Sequence, residues 1–156
     1  MKMLINGEQR DAVSGKVFPV HNPATGDVVD EAPLGGEDDV RFAVEAAGEA
    51  FGDWAGKSPR DRAKVLFFAA EEVRRQNTDL GALLTAEQGK PIREAVDEIN
   101  GFANILEYYH ALSAGGEGEF MKIRGYGRAV VRRRPLGVCG AIIPWNMPAI
   151  IMGWKI

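Results

Sequence analysis

Apolar residues recur at helical spacing through the middle of the chain, between residues 37 and 113. The first stripe has the intervals of one helix face: Val40, Ala43, Val44, Ala47, Phe51 and Trp54. Three acidic residues, 37–39, fall in its first turn, where the helix dipole favours anions, and Gly36 is the expected cap. The pattern predicts an amphipathic helix with this stripe against a core.

Three further helices are predicted after it. Ser58 and Pro59 are typical of a helix start, and the buried face of this second helix is expected to be Ala63, Leu66, Phe67, Ala70 and Val73. A shorter third helix carries Leu80, Leu83 and Leu84 and ends at Gly89, a residue that adopts left-handed backbone easily. Pro91 opens the fourth helix, whose stripe is Ile92, Ala95, Val96, Ile99, Phe102, Leu106 and Tyr109. The glycines of "SAGGEGEF" (113–120) are expected to end it.

The segments on either side have the pattern of strands and turns. Within residues 1–35, Thr25-Gly26-Asp27 supplies turn chemistry between Val20 and Val28-Val29, which predicts a hairpin. Residues 119–134 return to extended structure and are rich in Lys and Arg. A phosphate or nucleic-acid patch is one interpretation of those cations. A charged edge strand, which its cations protect from aggregation, is favoured, because the chain is acidic overall and the stretch lacks several interleaved aromatics.

The stretch "LGVCGAII", Leu136 to Ile143, carries no charge and shows no alternation. Such a run predicts a strand covered on both faces, as in a parallel sheet. Pro148 then marks the start of a helix. Strand, turn and helix together indicate the opening unit of a doubly wound nucleotide-binding sheet.

Composition and charge exclude several classes. The chain has 156 residues, 46% apolar and 26% charged, with a formal net charge of −3, which is ordinary for a globular domain and offers no field for nucleic acid. One cysteine, Cys139, rules out a disulfide framework and fits a cytoplasmic location. His21 and His110 lie far apart in sequence, so no metal site is expected. No apolar run is long enough to predict a membrane span.

Four motifs, in order along the chain, are similar to the N-terminal portion of the NAD(P)-dependent aldehyde dehydrogenase family. They are "NPATGDVV" (22–29), "AFGDW" (50–54), "EQGKP" (87–91) and "PLGVCGAIIPWNMP" (135–148) with Trp154-Lys155. The resemblance implies an α/β fold: an N-terminal hairpin and helical block, then the first strand and the start of the first helix of a doubly wound coenzyme-binding sheet, incomplete here. The implied divisions are 1–118, bridging strands at 119–135 through which subunits pair, and 136–156.

The resemblance also implies roles for single residues. Asn146 matches the asparagine whose side-chain amide stabilises the oxyanion formed when a cysteine attacks the aldehyde. Ile143 and Trp145 match positions that line the coenzyme, NAD or NADP. Lys155 matches a lysine near the active site and could supply positive charge. The alternatives are a plain turn residue for Asn146 and a solvated helix residue for Lys155.

Cys139 is not expected to be the nucleophile, because a thiol inside an apolar strand has a raised pKa and is inert. No stretch matches the family's cysteine or glutamate motifs, so we expect an N-terminal fragment of a longer enzyme that is inactive alone. Its expected partners are an aldehyde, the nicotinamide coenzyme and further copies of the subunit. The alternative is a non-catalytic oligomerisation or binding module that keeps the front half of the fold.

Overall fold

The computed structural model describes residues 1–113, 115 and 118–156. Five helices lie at α1 (Glu37–Gly56), α2 (Pro59–Arg75), α3 (Asn77–Gln88), α4 (Ile92–Leu112) and α5 (Pro148–Gly153). Six strands lie at β1 (Met3–Ile5), β2 (Glu8–Arg10), β3 (Val17–His21), β4 (Val28–Pro33), β5 (Gly118–Ile123) and β6 (Gly127–Arg132). The chain is therefore mixed α/β, with all four predicted long helices present.

The strands form three separate antiparallel ribbons, β1–β2, β3–β4 and β5–β6. The hairpin predicted around Thr25-Gly26-Asp27 is confirmed as β3–β4, where Phe18 pairs with Ala32. The extended structure predicted for 119–134 is confirmed as β5–β6, where Phe120 pairs with Val130. Among the described residues, no strand of one ribbon pairs with a strand of another.

Helix α4 lies at the centre of the core and packs against α2, α3 and α5. The buried cluster consists of Ala70, Leu84, Ala95, Ile99, Phe102, Ala103, Leu106 and Ala149. Its alanines let the helix axes approach closely, and each large apolar side chain that it buries stabilises the fold by about 1.5–3 kcal/mol. The stripe predicted on the fourth helix is thus the main source of the core, although its ends, Ile92 and Tyr109, stay exposed.

The predicted helix ends are confirmed in detail. Ser58 Oγ accepts a hydrogen bond from the Asp61 amide at 3.1 Å, and Pro59 is the first residue of α2. Gly89 ends α3 with φ 71°, in left-handed backbone. Part of the glycine-rich stretch that was predicted to end α4, residues 114, 116 and 117, lies outside the described residues.

Helix α1 is tied to the N-terminal segment through a buried carboxylate. Asp39 accepts hydrogen bonds from the amides of Gly36 (2.8 Å) and Val13 (3.0 Å). These two hydrogen bonds lower the pKa of Asp39, since they favour the ionised carboxylate.

The burial predicted for α1 is wrong, although the helix itself is present. Val40 is 62% exposed, Val44 52% and Trp54 45%. Among the elements of the described chain, α1 packs mainly against β1, a strand of three residues, which is too small to cover a stripe of about four turns. Phe67 of α2, also predicted to be buried, is likewise exposed.

The strand predicted for Leu136 to Ile143 is not formed, and this part of the fold prediction is wrong for the chain as it stands. These residues have no regular secondary structure, and Leu136 and Ile142 are 96% and 93% exposed. A strand needs a neighbour for its backbone donors and acceptors, and the described ribbons lie elsewhere. Cys139, expected to be buried in this strand, is exposed for the same reason.

Within the described residues, no helix combines the length and the hydropathy that a membrane crossing requires.

Candidate functional site

The candidate site is the loop Pro144–Met147, which joins the uncovered segment 136–143 to helix α5. Prolines restrict the backbone at both ends: Pro144 begins the loop, and Pro148, the first residue of α5, follows it. Asn146 lies in the middle of this loop, and its side chain is exposed. A primary amide in that place can donate a hydrogen bond outward without titrating.

A buried ion pair lies directly beneath the loop. The Lys90 ammonium donates to Glu98 Oε2, and the side chains are 15% and 1% exposed respectively. Lys90 also donates to the backbone oxygen of Asn146 at 3.1 Å. The other carboxylate oxygen, Glu98 Oε1, accepts from the Ala149 amide at 2.9 Å.

These contacts give each member of the pair two partners. The Ala149 amide lies in the first turn of α5, where backbone N–H groups have no partner within the helix. Glu98 therefore caps α5 from a neighbouring helix, and its negative charge suits that helix end. The loop is attached on one side through Lys90 and on the other through Glu98.

A third attachment comes from the end of α3. The Gln88 side-chain amide donates to the backbone oxygen of Trp145. Gln88 is the last residue of α3, and the left-handed Gly89 turns the chain so that Lys90 also meets the loop. The motif "EQGKP", predicted only to be a turn between helices, thus supplies two of the three side chains that hold the loop.

Close packing on α4 fixes α5 itself. A Cβ placed on Gly101 would lie 3.1 Å from Ile150 Cδ1, and one on Gly153 would lie 2.8 Å from Phe102 Cδ2. Ala149 is buried in the core cluster. Since helices this short are marginal without tertiary packing, the position of α5 and its preceding loop depends on α4.

Asn146 borders open clefts on both sides of the loop. One cleft is lined by Lys90, Glu94, Asp97, Glu98, Met147 and Ile150. The other is lined by Glu87, Gln88, Lys90, Trp145 and Pro148. A small carbonyl compound can therefore reach the asparagine amide from solvent.

The other predicted site residues are distributed unevenly around this loop. Trp145 is 85% exposed, next to Asn146, and Ile143 is half-buried just before the loop. Lys155 lies beyond the far end of α5, in a separate cleft that includes Trp54, Arg62 and Tyr109. The structure therefore brings Ile143 and Trp145 to Asn146 but places Lys155 elsewhere.

The uncovered apolar surface bears on whether a nicotinamide coenzyme fits here. Trp145 and Ile142, 85% and 93% exposed, present flat apolar surface of the kind that an aromatic ring of a coenzyme can cover. The residues present thus suit one wall of such a site. Over the described part of the chain there is no group of three His, Cys, Asp or Glu side chains that could hold a metal ion.

The scaffold residues Gln88, Lys90 and Glu98 were not identified from the sequence. One signal was available for Glu98, because it falls among the apolar stripe positions of α4, between Ala95 and Ile99. A charged residue on a core face needs a partner, and Lys90 is the cation that supplies it.

Comparisons with known proteins identify the family of this chain. The sequence model of the aldehyde dehydrogenase family matches residues 10–156. The mitochondrial aldehyde dehydrogenase of Rattus norvegicus is 36% identical over 159 residues, which cover 99% of this chain and 31% of the rat protein. The chain thus spans about a third of the length of that relative.

Solved structures give the same result for the fold. An aldehyde dehydrogenase from Brucella melitensis biovar abortus 2308 superposes with a TM-score of 0.93 at 32% identity, over 99% of this chain and 32% of that one. An NADP-dependent enzyme of E. coli superposes with a TM-score of 0.92 at 35% identity, with the same coverage. By its sequence from residue 10 onward and by its backbone, this chain belongs to the aldehyde dehydrogenase family.

Proposed function

We propose that this chain is the N-terminal portion of an NAD(P)-dependent oxidoreductase that converts aldehydes to carboxylic acids, with Asn146 as the oxyanion donor. The observation that carries the proposal is the contrast within one residue. The Asn146 backbone is fixed by Lys90 at 3.1 Å, while its side chain is exposed between two clefts. A fixed backbone with a free amide is what a preorganised donor requires.

The chemistry gives the amide a defined task. When a cysteine thiolate from another segment of the enzyme adds to the aldehyde carbon, the C=O bond becomes a C–O⁻ bond. The Asn146 amide donates to that oxygen as its charge grows. Removing one such donor typically raises the barrier by about 2.7–4 kcal/mol.

The coenzyme, which accepts hydride in this reaction class, would contact Ile143 and Trp145. Trp145 is next to Asn146 in the chain and leaves 85% of its surface open for a ligand, and Ile143 precedes the loop. Lys155 lies in a different cleft. Its proposed role is to supply positive charge from that cleft, without contact to the reacting oxygen.

The remaining surface supports a larger assembly around this portion. Leu136 and Ile142 are almost fully exposed in an uncharged segment without regular structure, which is the pattern expected of a strand that other strands cover. We propose that 136–143 becomes the first strand of a doubly wound sheet when further strands flank it. In this division 1–118 forms the N-terminal part of the coenzyme domain, and 119–135 bridges to another subunit. A cytoplasmic location stays a prediction.

The donor role is tested in the proposed complete enzyme by replacing Asn146 with Ala. We expect kcat for aldehyde-dependent coenzyme reduction to fall by about 10²–10³, with coenzyme affinity nearly unchanged. Asn104→Ala, on the exposed side of α4, is the matched control and should keep wild-type kcat. An unchanged kcat in Asn146→Ala would show that the oxyanion assignment is wrong.

The 156-residue chain alone is proposed to be inactive, because its one thiol is not placed for nucleophilic attack. Among the described residues, the Cys139 thiol contacts the backbone oxygen of Gly137 and has no hydrogen bond to a side-chain base. Coenzyme reduction should match that of the Cys139→Ala chain. Turnover by the native chain above that control would contradict the proposal.

The alternative function, a non-catalytic oligomerisation module, is favoured by one observation. The β5–β6 ribbon is exposed along almost its whole length and offers free strand edges. Sedimentation of the chain with and without Val130→Lys measures this. Stable self-association that the substitution abolishes, together with an inactive complete enzyme, would support the module.

A further inference from the structure

We propose that the Lys90–Glu98 pair is a positioning device for the catalytic loop, so that Glu98 and Lys90 set the rate of the chemical step through Asn146. The inference rests on the proposed function for its kinetic consequence. Its structural consequence, the ordering of the loop, can be tested without any activity.

Glu98 is a buried carboxylate: its side chain is 1% exposed in the middle of the α4 core face. A buried charge is strongly unfavourable without a partner, and an apolar residue of similar size there would usually be no less stable. The carboxylate at this place therefore has a use beyond filling the core.

The Glu98 carboxylate connects Lys90 to the first turn of α5. Both of its oxygens are engaged, one by the Lys90 ammonium and one by the Ala149 amide at 2.9 Å. Lys90 in turn donates to the Asn146 backbone oxygen at 3.1 Å. Charged side chains thus hold the backbone at two points: Lys90 at Asn146, and Glu98 at Ala149, three residues later.

The Lys90–Glu98 pair differs from an ion pair that joins two helices, both in its burial and in the residues that it contacts. Arg74 and Glu107 link α2 to α4 with an N–O distance of 2.6 Å, but their side chains are 35% and 41% exposed and contact no residue of the loop. Among the ion pairs of the described residues, only Lys90–Glu98 makes hydrogen bonds to residues 146 and 149.

Loss of the pair is expected to displace the side-chain amide of Asn146. A donor contributes to catalysis only when it already points to the place where charge develops, and a small displacement weakens it. A loop without its anchors samples many positions. We therefore expect loss of the pair to lower kcat more than it raises KM for the coenzyme.

The test compares Glu98→Gln and Lys90→Met with Lys90→Arg and with the control Glu107→Gln. Glu98 uses one oxygen for Lys90 and the other for Ala149. A glutamine in the same position replaces one of these oxygens with an NH2 group, which faces one of the two donors with another donor. Lys90→Arg keeps a cation and should restore part of the effect. Each variant is first checked for global stability by urea unfolding of the 156-residue chain.

The first readout is hydrogen exchange of the Ala149 amide in that chain, divided by exchange of the Leu106 amide in the core. We expect this ratio to rise by about tenfold in Glu98→Gln and Lys90→Met, less in Lys90→Arg, and not at all in Glu107→Gln. A ratio that stays constant while both amides speed up would reveal a purely structural pair and overturn the inference. An Ala149 amide that is unprotected in the native chain would also overturn it.

The second readout is the kcat-against-KM split in the proposed complete enzyme. Glu98→Gln should lower kcat by about tenfold with coenzyme KM nearly constant, and Asn146→Ala should leave little further effect of Glu98→Gln. Full additivity of the two substitutions would contradict positioning through Asn146. If Asn146→Ala is harmless while Ala149 protection still depends on the pair, the oxyanion proposal fails and the positioning of the loop stands.

Discussion

The helical unit α2–α5 and the segment 136–143 contain similar apolar sequence and have opposite fates. In the helical unit, Leu106 is 1% exposed and Ala95, Ala103 and Ala70 are completely buried. In the segment, Leu136 and Ile142 are exposed at 96% and 93%. The helices make their backbone hydrogen bonds internally, whereas a strand depends on neighbours for every one. The first region thus forms from helices that pack against one another within this chain, and the second needs partner strands.

The loop that carries Asn146 lies at the border of these two regions. It is held from the helical side by Gln88, Lys90 and Glu98. On its other side it continues into uncovered chain. The candidate site therefore takes its order from the core of this chain and would take its remaining walls from other segments.

The largest effect should follow from a cavity in the helical unit. Leu106→Ala is expected to lower the free energy of unfolding by about 2–5 kcal/mol, because the side chain is fully buried and its removal leaves a cavity in the core. Ile142→Ala, at 93% exposure, is the matched deletion in the other region and should change stability by less than about 0.5 kcal/mol. Urea unfolding of both chains measures this. Equal losses would contradict the comparison.

Glycines on two helices should respond in opposite directions to the same added methyl group. A Cβ on Gly81 would lie 2.6 Å from Val96 Cγ2 and 3.3 Å from its backbone, so Gly81→Ala should destabilise by about 1–3 kcal/mol. Gly48 in α1 has open space around it. Gly48→Ala should therefore stabilise, by up to about 1 kcal/mol through helix propensity. Thermal unfolding compares them, and a stabilising Gly81→Ala would show that α3 and α4 are packed loosely.

The link between α1 and the N-terminal segment should be sensitive to acid. The amides of Gly36 and Val13 lower the folded-state pKa of Asp39. Its stabilisation is therefore present above the unfolded value of about 3.9 and lost as pH falls through the lower folded pKa. Asp39→Asn should reduce stability at pH 7 and flatten the loss between about pH 5 and 2, measured by urea unfolding across that range.

A control is needed because Glu72 titrates in the same range. Arg75 and Gln76 lower its pKa to about 2. The native chain and the Asp39→Asn variant both contain Glu72, so the difference between their stability curves isolates Asp39. Asp53→Asn removes one negative charge at an exposed position of the same helix and is the matched control for the change in net charge. An Asp39→Asn chain with the native slope would refute the link.

The smallest effect concerns Cys139 and involves no loss of stability. Because the thiol is exposed, a chromogenic disulfide should modify it in the folded 156-residue chain at nearly the rate seen in urea. In the proposed complete enzyme the same thiol should react much more slowly, since the strand around it would be covered. Slow modification in the short chain would mean that 136–143 is already protected.

The sequence was a good guide wherever structure is decided locally. Ser58-Pro59 and Gly89 mark helix ends through their own backbone preferences, and the stripe of α4 became the core. The β1–β2 ribbon was covered only by a general prediction of strands and turns. Its signal was Asn6-Gly7, the pair that most favours a two-residue hairpin turn, and both residues have positive φ.

Prediction from sequence was poor where burial depends on what lies opposite. The stripe of α1 has the right period, yet Val40 and Val44 are exposed because little of this chain covers them. Asn146 could be named from its motif. The buried pair beneath it was not identified, because nothing in the local sequence shows that Lys90, just before α4, and Glu98, within α4, both contact the segment around Asn146.

The packed helices fix the Asn146 loop, while the segment before it stays uncovered. A residue-resolved hydrogen-exchange map of the 156-residue chain measures both regions at once. We predict slow exchange at Leu106 and Ala149 and exchange near the unprotected rate from residues 137 to 142. Protection of 137–142 as strong as that of α4, or an unprotected Ala149, would show that this division of the chain is wrong.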